Sequence, residues 1–306
     1  MNWQKKGLIF EPSESVNWMN SHCQLPTPLM LSDELIRVYF ASRDENQISG
    51  IGFCDYNTHL EKVVFFSSSP VLVHGGIGTF DEHGVFPSCV VKNGDRLFMY
   101  YIGWNKGCEQ PLFYANIGLA ISEDGGDSFN KYSLAPIMSR SVFDPCLVTS
   151  PNVYFDEGKW RMTYVSGVKW ERVNGRLKSY YHIKYAQSND GIHWERNGEI
   201  CIDFINSDES NIARSSVLKF KDKYRMWYCY VSDGNPYRLG YAESKNGINW
   251  HRKDSSVGLS ASENGFDSDM ICYPSVIRNS NWLFMFYNGN NYGKDGVGLA
   301  ISQDYI

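Results

Sequence analysis

The chain has 306 residues, a formal charge of −5 and 15% aromatic residues, with 20 Tyr and 9 Trp. The acidic balance leaves no basic footprint for nucleic acid or an anionic membrane, and no run approaches the roughly 18 apolar residues of a spanning helix. The opening MNWQKKGLIFEPSES has no apolar core of a secretory signal, and the eight cysteines include no C-x-x-C pair, so a cytoplasmic protein with reduced thiols is expected.

In chain order, residues 1–12 (MNWQKKGLIFEP) come first and stand apart. Five segments of 19 residues then align without a gap: NSHCQLPTPLMLSDELIRV from Asn20, DEHGVFPSCVVKNGDRLFM from Asp81, DPCLVTSPNVYFDEGKWRM from Asp144, DESNIARSSVLKFKDKYRM from Asp208 and DSDMICYPSVIRNSNWLFM from Asp267. In each, a short apolar run meets a polar bend such as KNGD, DEGK or KDK, and a second apolar run follows. That is the pattern of a hairpin. A third strand follows (IGLAISEDGGDSF, IKYAQSNDGIHW, LGYAESKNGINW, VGLAISQD), and the aromatic after its Asx-Gly turn opens a fourth.

Five units of four strands predict an all-β, five-bladed propeller, one domain over 1–306, with blades starting near 20, 81, 144, 208 and 267. The fifth unit stops at Ile306 without a fourth strand, and residues 1–12 resemble the fourth strands HWERNGEICI and NWHRKD. They are expected to complete blade 5 and cover an open edge. Ser122 to Phe129, SEDGGDSF, fits the Asp-box pattern of sialidases, where it ties down a turn.

Inner strands line a propeller tunnel, so their starts converge on one face. Asp81, Asp144, Asp208 and Asp267 bring a carboxylate there in four blades, and Glu82, Glu209 and Asp269 add acids that the repeat does not require. Crowded carboxyls can split into one protonated and one ionised group, as glycoside cleavage demands. Asp81, Glu82, Asp144, Asp267 and Asp269 are therefore the catalytic candidates. An aspartate at a strand start also caps turns, and a repeated one fits that role equally.

Blades 2 and 3 carry longer connections between their second and third strands. These bring Trp104 and Trp170 as platforms for a sugar face. Arg43, Arg140, Arg214 and Arg238 lie at or near the mouth. Arg214 shares a column with Pro26, Pro87, Ser150 and Tyr273. It is read as a clamp for a carboxylate or phosphate, or as the partner of Asp208 or Glu209. His22, Arg43, His83, Glu209 and Tyr273 complete the binding candidates. No metal or other cofactor is expected: His22, His83 and Cys146 share a column, but no ligand-spacing motif supports a tunnel metal.

The repeats YAQSNDGIHW and YAESKNGINW, the Phe-Asp strand starts (Phe80-Asp81, Phe143-Asp144, Phe266-Asp267) and the PSV or SPNV inner strands resemble the five-bladed glycosidase superfamily over the whole chain. That superfamily holds invertase-like, arabinanase-like and mannoside-phosphorylase-like enzymes. The resemblance implies carbohydrate as the partner. Trp18-Met19-Asn20 is followed by Ser21, where invertase-like enzymes carry W-M-N-D-P-N, so the blade 1 aspartate of that family and of arabinanase-like enzymes is absent. Phe143-Asp144-Pro145 resembles the aspartate that orients the acid. The leading expectation is a glycosidase that inverts. The alternatives are a phosphorylase or transferase on a phosphate- or nucleotide-linked sugar, and a carbohydrate-binding propeller without activity.

Overall fold

The computed structural model describes residues 1–13, 18–232 and 234–303. Asp304 to Ile306, where the fifth repeat stops, lie outside the described residues. β1 (Gln4–Phe10) precedes blade 1, which is β2 (Ser21–Ser32), β3 (Leu35–Arg43), β4 (Ser49–Asn57) and β5 (Lys62–Phe66). Blade 2 is β6 (Val85–Asn93), β7 (Arg96–Lys106), β8 (Phe113–Ser122) and β9 (Asn130–Lys131). Blade 3 is β10 (Leu147–Asp156), β11 (Lys159–Val173), β12 (Arg176–Ser188) and β13 (Ile200–Ile202). Blade 4 is β14 (Asn211–Lys219), β15 (Tyr224–Val231), β16 (Arg238–Ser244) and β17 (His251–Arg252). Blade 5 is β18 (Cys272–Arg278), β19 (Leu283–Asn288) and β20 (Val297–Ser302), with β1 as its outer strand.

The fold is the five-bladed propeller that the repeat predicts. Apolar and β-branched runs form antiparallel strands, and bends such as Asn93-Gly94-Asp95 reverse them. Gly94 (φ 62°) and Gly158 (φ 78°) take the left-handed backbone those bends need. Closure is by β1, antiparallel to β20 with Gln4 opposite Ile301 and Phe10 opposite Val297. Asn288 of β19 ties blade 5 to blade 1: its amide oxygen accepts from Leu25 N at 2.9 Å and its Nδ2 donates to Cys23 O at 2.7 Å. Blades 3 and 4 are joined by one parallel pairing, Tyr181 opposite Asn211.

Faces between blades are packed with aromatics. Tyr39, Tyr100, Trp227 and Tyr287 are fully buried, each contributing roughly 2–3 kcal/mol through apolar burial. The Asp-box is a structural turn, as expected. Asp124 accepts from Asp127 N at 3.0 Å and Ser128 N at 3.1 Å, and Tyr39 of blade 1 donates to Gly126 O at 2.9 Å. Blade 3 repeats it: Asp190 accepts from His193 N, and Tyr100 of blade 2 donates to Gly191 O at 2.7 Å. All eight cysteines are unpaired.

Candidate active site

The Phe-Asp starts are clamps inside the blades. Asp81, Asp144 and Asp267 are buried. Each accepts from the tyrosine twenty residues on: Tyr101 at 3.1 Å, Tyr164 at 3.1 Å and Tyr287 at 3.0 Å. A cation on the outer side of the blade completes each clamp: Lys131 at 2.6 Å, Arg196 at 2.9 Å and, across the closure seam, Lys5 at 2.6 Å. Burial first, then the neighbouring aspartate charge, pushes each tyrosine hydroxyl far above its ordinary pKa and keeps it a donor. The tyrosine needs room across the sheet. Tyr287 lies over Gly298, where a Cβ would come within 2.7 Å of its ring. Blade 3 puts Lys184 opposite Tyr164 instead, 3.7 Å from Asp144.

Blade 4 varies the theme. Asp208 is exposed and Glu209 is buried in its place, gripped by both Arg252 nitrogens at 2.7 and 2.8 Å. Tyr228 donates to Asp254 at 2.5 Å. Blade 1 has no such clamp among the described residues; Trp18 stacks on Phe40 at 5.5 Å and covers Gly52. The three aspartates and Glu209 are thus turned into blade packing and ion pairing, which corrects the expectation that they face substrate. Of the five catalytic candidates, Asp269 alone has a carboxylate with no partner among the described residues. Glu82 receives Gly78 N at 2.9 Å on one oxygen.

Arg214 is also displaced from its expected role. Each inner strand carries a β-bulge at the same level, and Arg214, with φ 54°, sits in the bulge of blade 4. Its side chain is 1% exposed and crosses to the other side of the ring. It donates to Pro26 O at 2.9 Å, Thr27 Oγ1 at 2.8 Å and Pro87 O at 3.1 Å. It pairs with neither Asp208 nor Glu209. Burial without an anion pulls it from 12.5 down to about 10, so it is a cation at neutral pH. It ties blades 1, 2 and 4 together across the axis.

The strand-start face above it gathers what the clamps leave free. His22, with φ 63°, stands at the start of β2. Its pKa is lowered to about 4 by burial, then by the charges of Arg43 and Lys294. Arg43 NH2 donates to Gln24 Oε1 at 3.1 Å, and Gln24 Nε2 donates to Tyr292 O at 2.9 Å. Tyr273 stacks on Tyr292 at 6.3 Å and meets Tyr237 at 5.9 Å, and Tyr237 shares a hydroxyl contact with Tyr181. Neither Arg43 nor Lys294 makes an ion pair among the described residues. Asp269 lies on the adjoining segment, whose backbone N–H is held by Asn290 Oδ1 at 2.8 Å, in the turn that leads to Lys294.

Around the mouth, His83 meets Trp104 at 6.0 Å, and Trp104 stacks on Phe86 at 6.3 Å. Trp170 packs edge-on against Phe113 of the blade 2 hairpin at 5.8 Å. A cavity of about 420 Å³ opens between blades 2 and 3 beside Asn105, Tyr114, Asn116, Ser139, Arg140 and Cys146. Arg238 is spent on carbonyls, including Asp269 O at 2.7 Å. His22, His83 and Cys146 do not form a ligand set; among the described residues no three His, Cys, Asp or Glu groups gather as one.

Two Mycobacterium tuberculosis proteins, Rv1502 and MT1551, both described as uncharacterized, are each 36% identical to the chain over 305 residues, covering 99% of it and 100% of their own length. The chain belongs to their family. No family model matches it. Among solved structures it is similar to a glycosyl hydrolase from Bacteroides ovatus (TM-score 0.73, 15% identity, 97% of this protein and 91% of that one). It is also similar to the β-1,2-mannobiose phosphorylase of Listeria innocua (0.71, 11%, 99% and 97%) and the α-L-arabinanase of Penicillium chrysogenum (0.62, 13%, 100% and 100%). The propeller is thus the one that the five-bladed glycosidase superfamily uses, as the sequence resemblance implied. Sequence reasoning missed Lys294, Tyr292, Tyr237, Asn105 and Asn116. For the first two the signal was the Gly- and Asn-rich connection GNNYGKDG of blade 5.

Proposed function

We propose that this propeller is an enzyme acting on a glycosidic bond at the strand-start face, with phosphate or a phosphate-linked sugar as co-substrate. The observation that carries the reading is the cluster of Arg43, Lys294 and His22 at the mouth, backed by the axial Arg214, with no paired carboxylate among them. Two cations beside His22, Arg43 held by Gln24 and Lys294 exposed, favour a dianion, and the buried charge of Arg214 adds to the positive field of the ring. Asp269 is the proton donor of choice, being unpartnered among the described residues and one segment from Lys294. In phosphorolysis a phosphate oxygen bonds to the anomeric carbon, the glycosidic C–O bond breaks, and its oxygen takes the proton from the Asp269 carboxyl.

Hydrolysis with inversion is the second reading. Glu82 and Asp269 come from different blades, which suits the separation of roughly 6.5–9.5 Å that leaves room for a water. No helix among the described residues is long and apolar enough to cross a membrane. Eight unpaired thiols fit a reducing compartment and support a cytoplasmic site of action. The ring acts as one domain over residues 1–306.

The test is turnover of a disaccharide panel with and without inorganic phosphate, read as sugar phosphate released, and the reverse reaction with sugar phosphates. Turnover is expected to require phosphate and to fall on the order of 10²-fold in Arg43→Ala. Equal turnover without phosphate favours hydrolysis. Sugar binding with no turnover on any substrate makes the protein a binding propeller.

A further inference from the structure

The cavity between blades 2 and 3 has a chemistry of its own. Among the residues beside it Arg140 is the one ionised group, and no carboxylate lines the space. Arg140 is exposed and makes no ion pair or hydrogen bond among the described residues; its guanidinium lies over the Tyr114 ring at 5.3 Å. The segment that carries it is held from below. Arg196 NH2 donates to Ser139 O at 2.7 Å, and the same guanidinium pairs with the buried Asp144, which also accepts from Ser141 Oγ at 2.8 Å. The blade 3 clamp thus holds Ser139 and Ser141 on either side of Arg140.

The other groups are neutral and suited to hydroxyls. Asn105 donates Nδ2 to Thr79 O at 3.0 Å, which leaves its amide oxygen as an acceptor. The Asn116 amide and the Ser139 hydroxyl have no partner among the described residues. Burial pushes the Cys146 thiol up, only partly offset by Arg140, so it is uncharged at neutral pH. A volume of about 420 Å³ exceeds one hexose ring and suits one or two sugar units.

We propose that this cavity binds a sugar carrying a carboxylate, a uronic acid, with Arg140 as its two-pronged partner. A single planar guanidinium without a second cation matches a singly charged planar carboxylate, whereas a dianionic phosphate is better served by the several cations around His22. The inference rests on carbohydrate binding at the strand-start face and not on phosphate as co-substrate.

Calorimetric titration of the full-length protein with D-glucuronate and D-galacturonate, against D-glucose and D-galactose, tests it. At least one uronate is expected to bind about 10-fold or more tightly than its neutral counterpart, a difference of about 1.4 kcal/mol. Arg140→Ala should remove that preference and Arg140→Lys keep part of it, with unfolding temperatures unchanged because Arg140 is exposed. In a Cys108→Ser background the favoured uronate should slow maleimide labelling of Cys146, which a distant site would not. Equal binding of acid and neutral sugar, binding of neither, or a preference that survives Arg140→Ala overturns the proposal. A preference lost in Arg43→Ala but kept in Arg140→Ala puts the carboxylate at the cationic cluster and also overturns it. Loss of phosphate dependence with the uronate preference intact removes only the co-substrate reading.

Discussion

Tyr164 donates its hydroxyl to Asp144 at 3.1 Å, and the same pair recurs at the same spacing as Tyr101 with Asp81 and Tyr287 with Asp267. Each pair joins the entry of an inner strand to the second strand, and the cation brings in the outer side. The clamp therefore spans the blade. Its aspartate is acidic for a structural reason: a partly buried cation and a buried tyrosine O–H both need an acceptor.

Removing that acceptor should cost stability first. Asp144→Ala leaves Arg196 and Lys184 buried without their anion, a loss of roughly 3–5 kcal/mol. Asp267→Ala should cost less, because Lys5 is about a quarter exposed and can reach water. Urea unfolding of the variants checks the order. If Asp144→Ala unfolds like the wild type while turnover vanishes, the aspartate faces substrate after all.

Arg214 makes a second structural prediction. Its three short hydrogen bonds reach two blades at once, which a lysine ammonium cannot do from the same backbone position. Arg214→Lys should lower stability by roughly 2 kcal/mol, about one charged hydrogen bond. The readout is the denaturant midpoint at constant m-value.

The architecture was legible because a repeat must bury the same faces five times, so its apolar runs and Asx-Gly bends recur with the period of the blade. The clamp was legible in principle as well: Asp81, Asp144 and Asp267 each precede a tyrosine by twenty residues. What was hidden is which way each aspartate turns. That depends on cations from outer strands, such as Lys131, and on Lys5 from the far end of the sequence. Lys294 lies in a connection that differs from blade to blade, where no period exists to read. Asn116 sits in β8 at a position that blades 3, 4 and 5 fill with His182, Arg238 and Gly296, so the repeat gave it no distinct signal. Arg214 broke its column and drew notice for that reason, yet a column cannot tell whether a side chain points out of the mouth or across the axis.

His22 gives a pH prediction. Its folded pKa of about 4 lies below the ordinary 6.5, so the unfolded chain binds the proton more readily. The stability that the neutral imidazole contributes is full above pH 6.5 and is lost as pH falls from 6.5 towards 4. Below that it changes no further. A His22→Asn variant should show a shallower fall in unfolding temperature across this window. Parallel curves for the two proteins would mean that His22 titrates normally.

Asp269 and Lys294 separate chemistry from binding. Both sit on segments joined by Asn290, and neither carries an ion pair among the described residues, so changing either should leave the fold intact. Lys294→Ala removes a charge that acts on bound anion in ground and transition state alike, and is expected to raise the KM for phosphate about 10-fold with kcat nearly constant. Asp269→Asn keeps the shape but cannot give up a proton. It should lower kcat by roughly 10²–10⁴-fold with little change in KM. Substrates with a good leaving group need no proton at the departing oxygen, so Asp269→Asn should recover most of its rate on aryl glycosides. An equal loss on both substrate types would place the acid elsewhere, with Glu82 next in line.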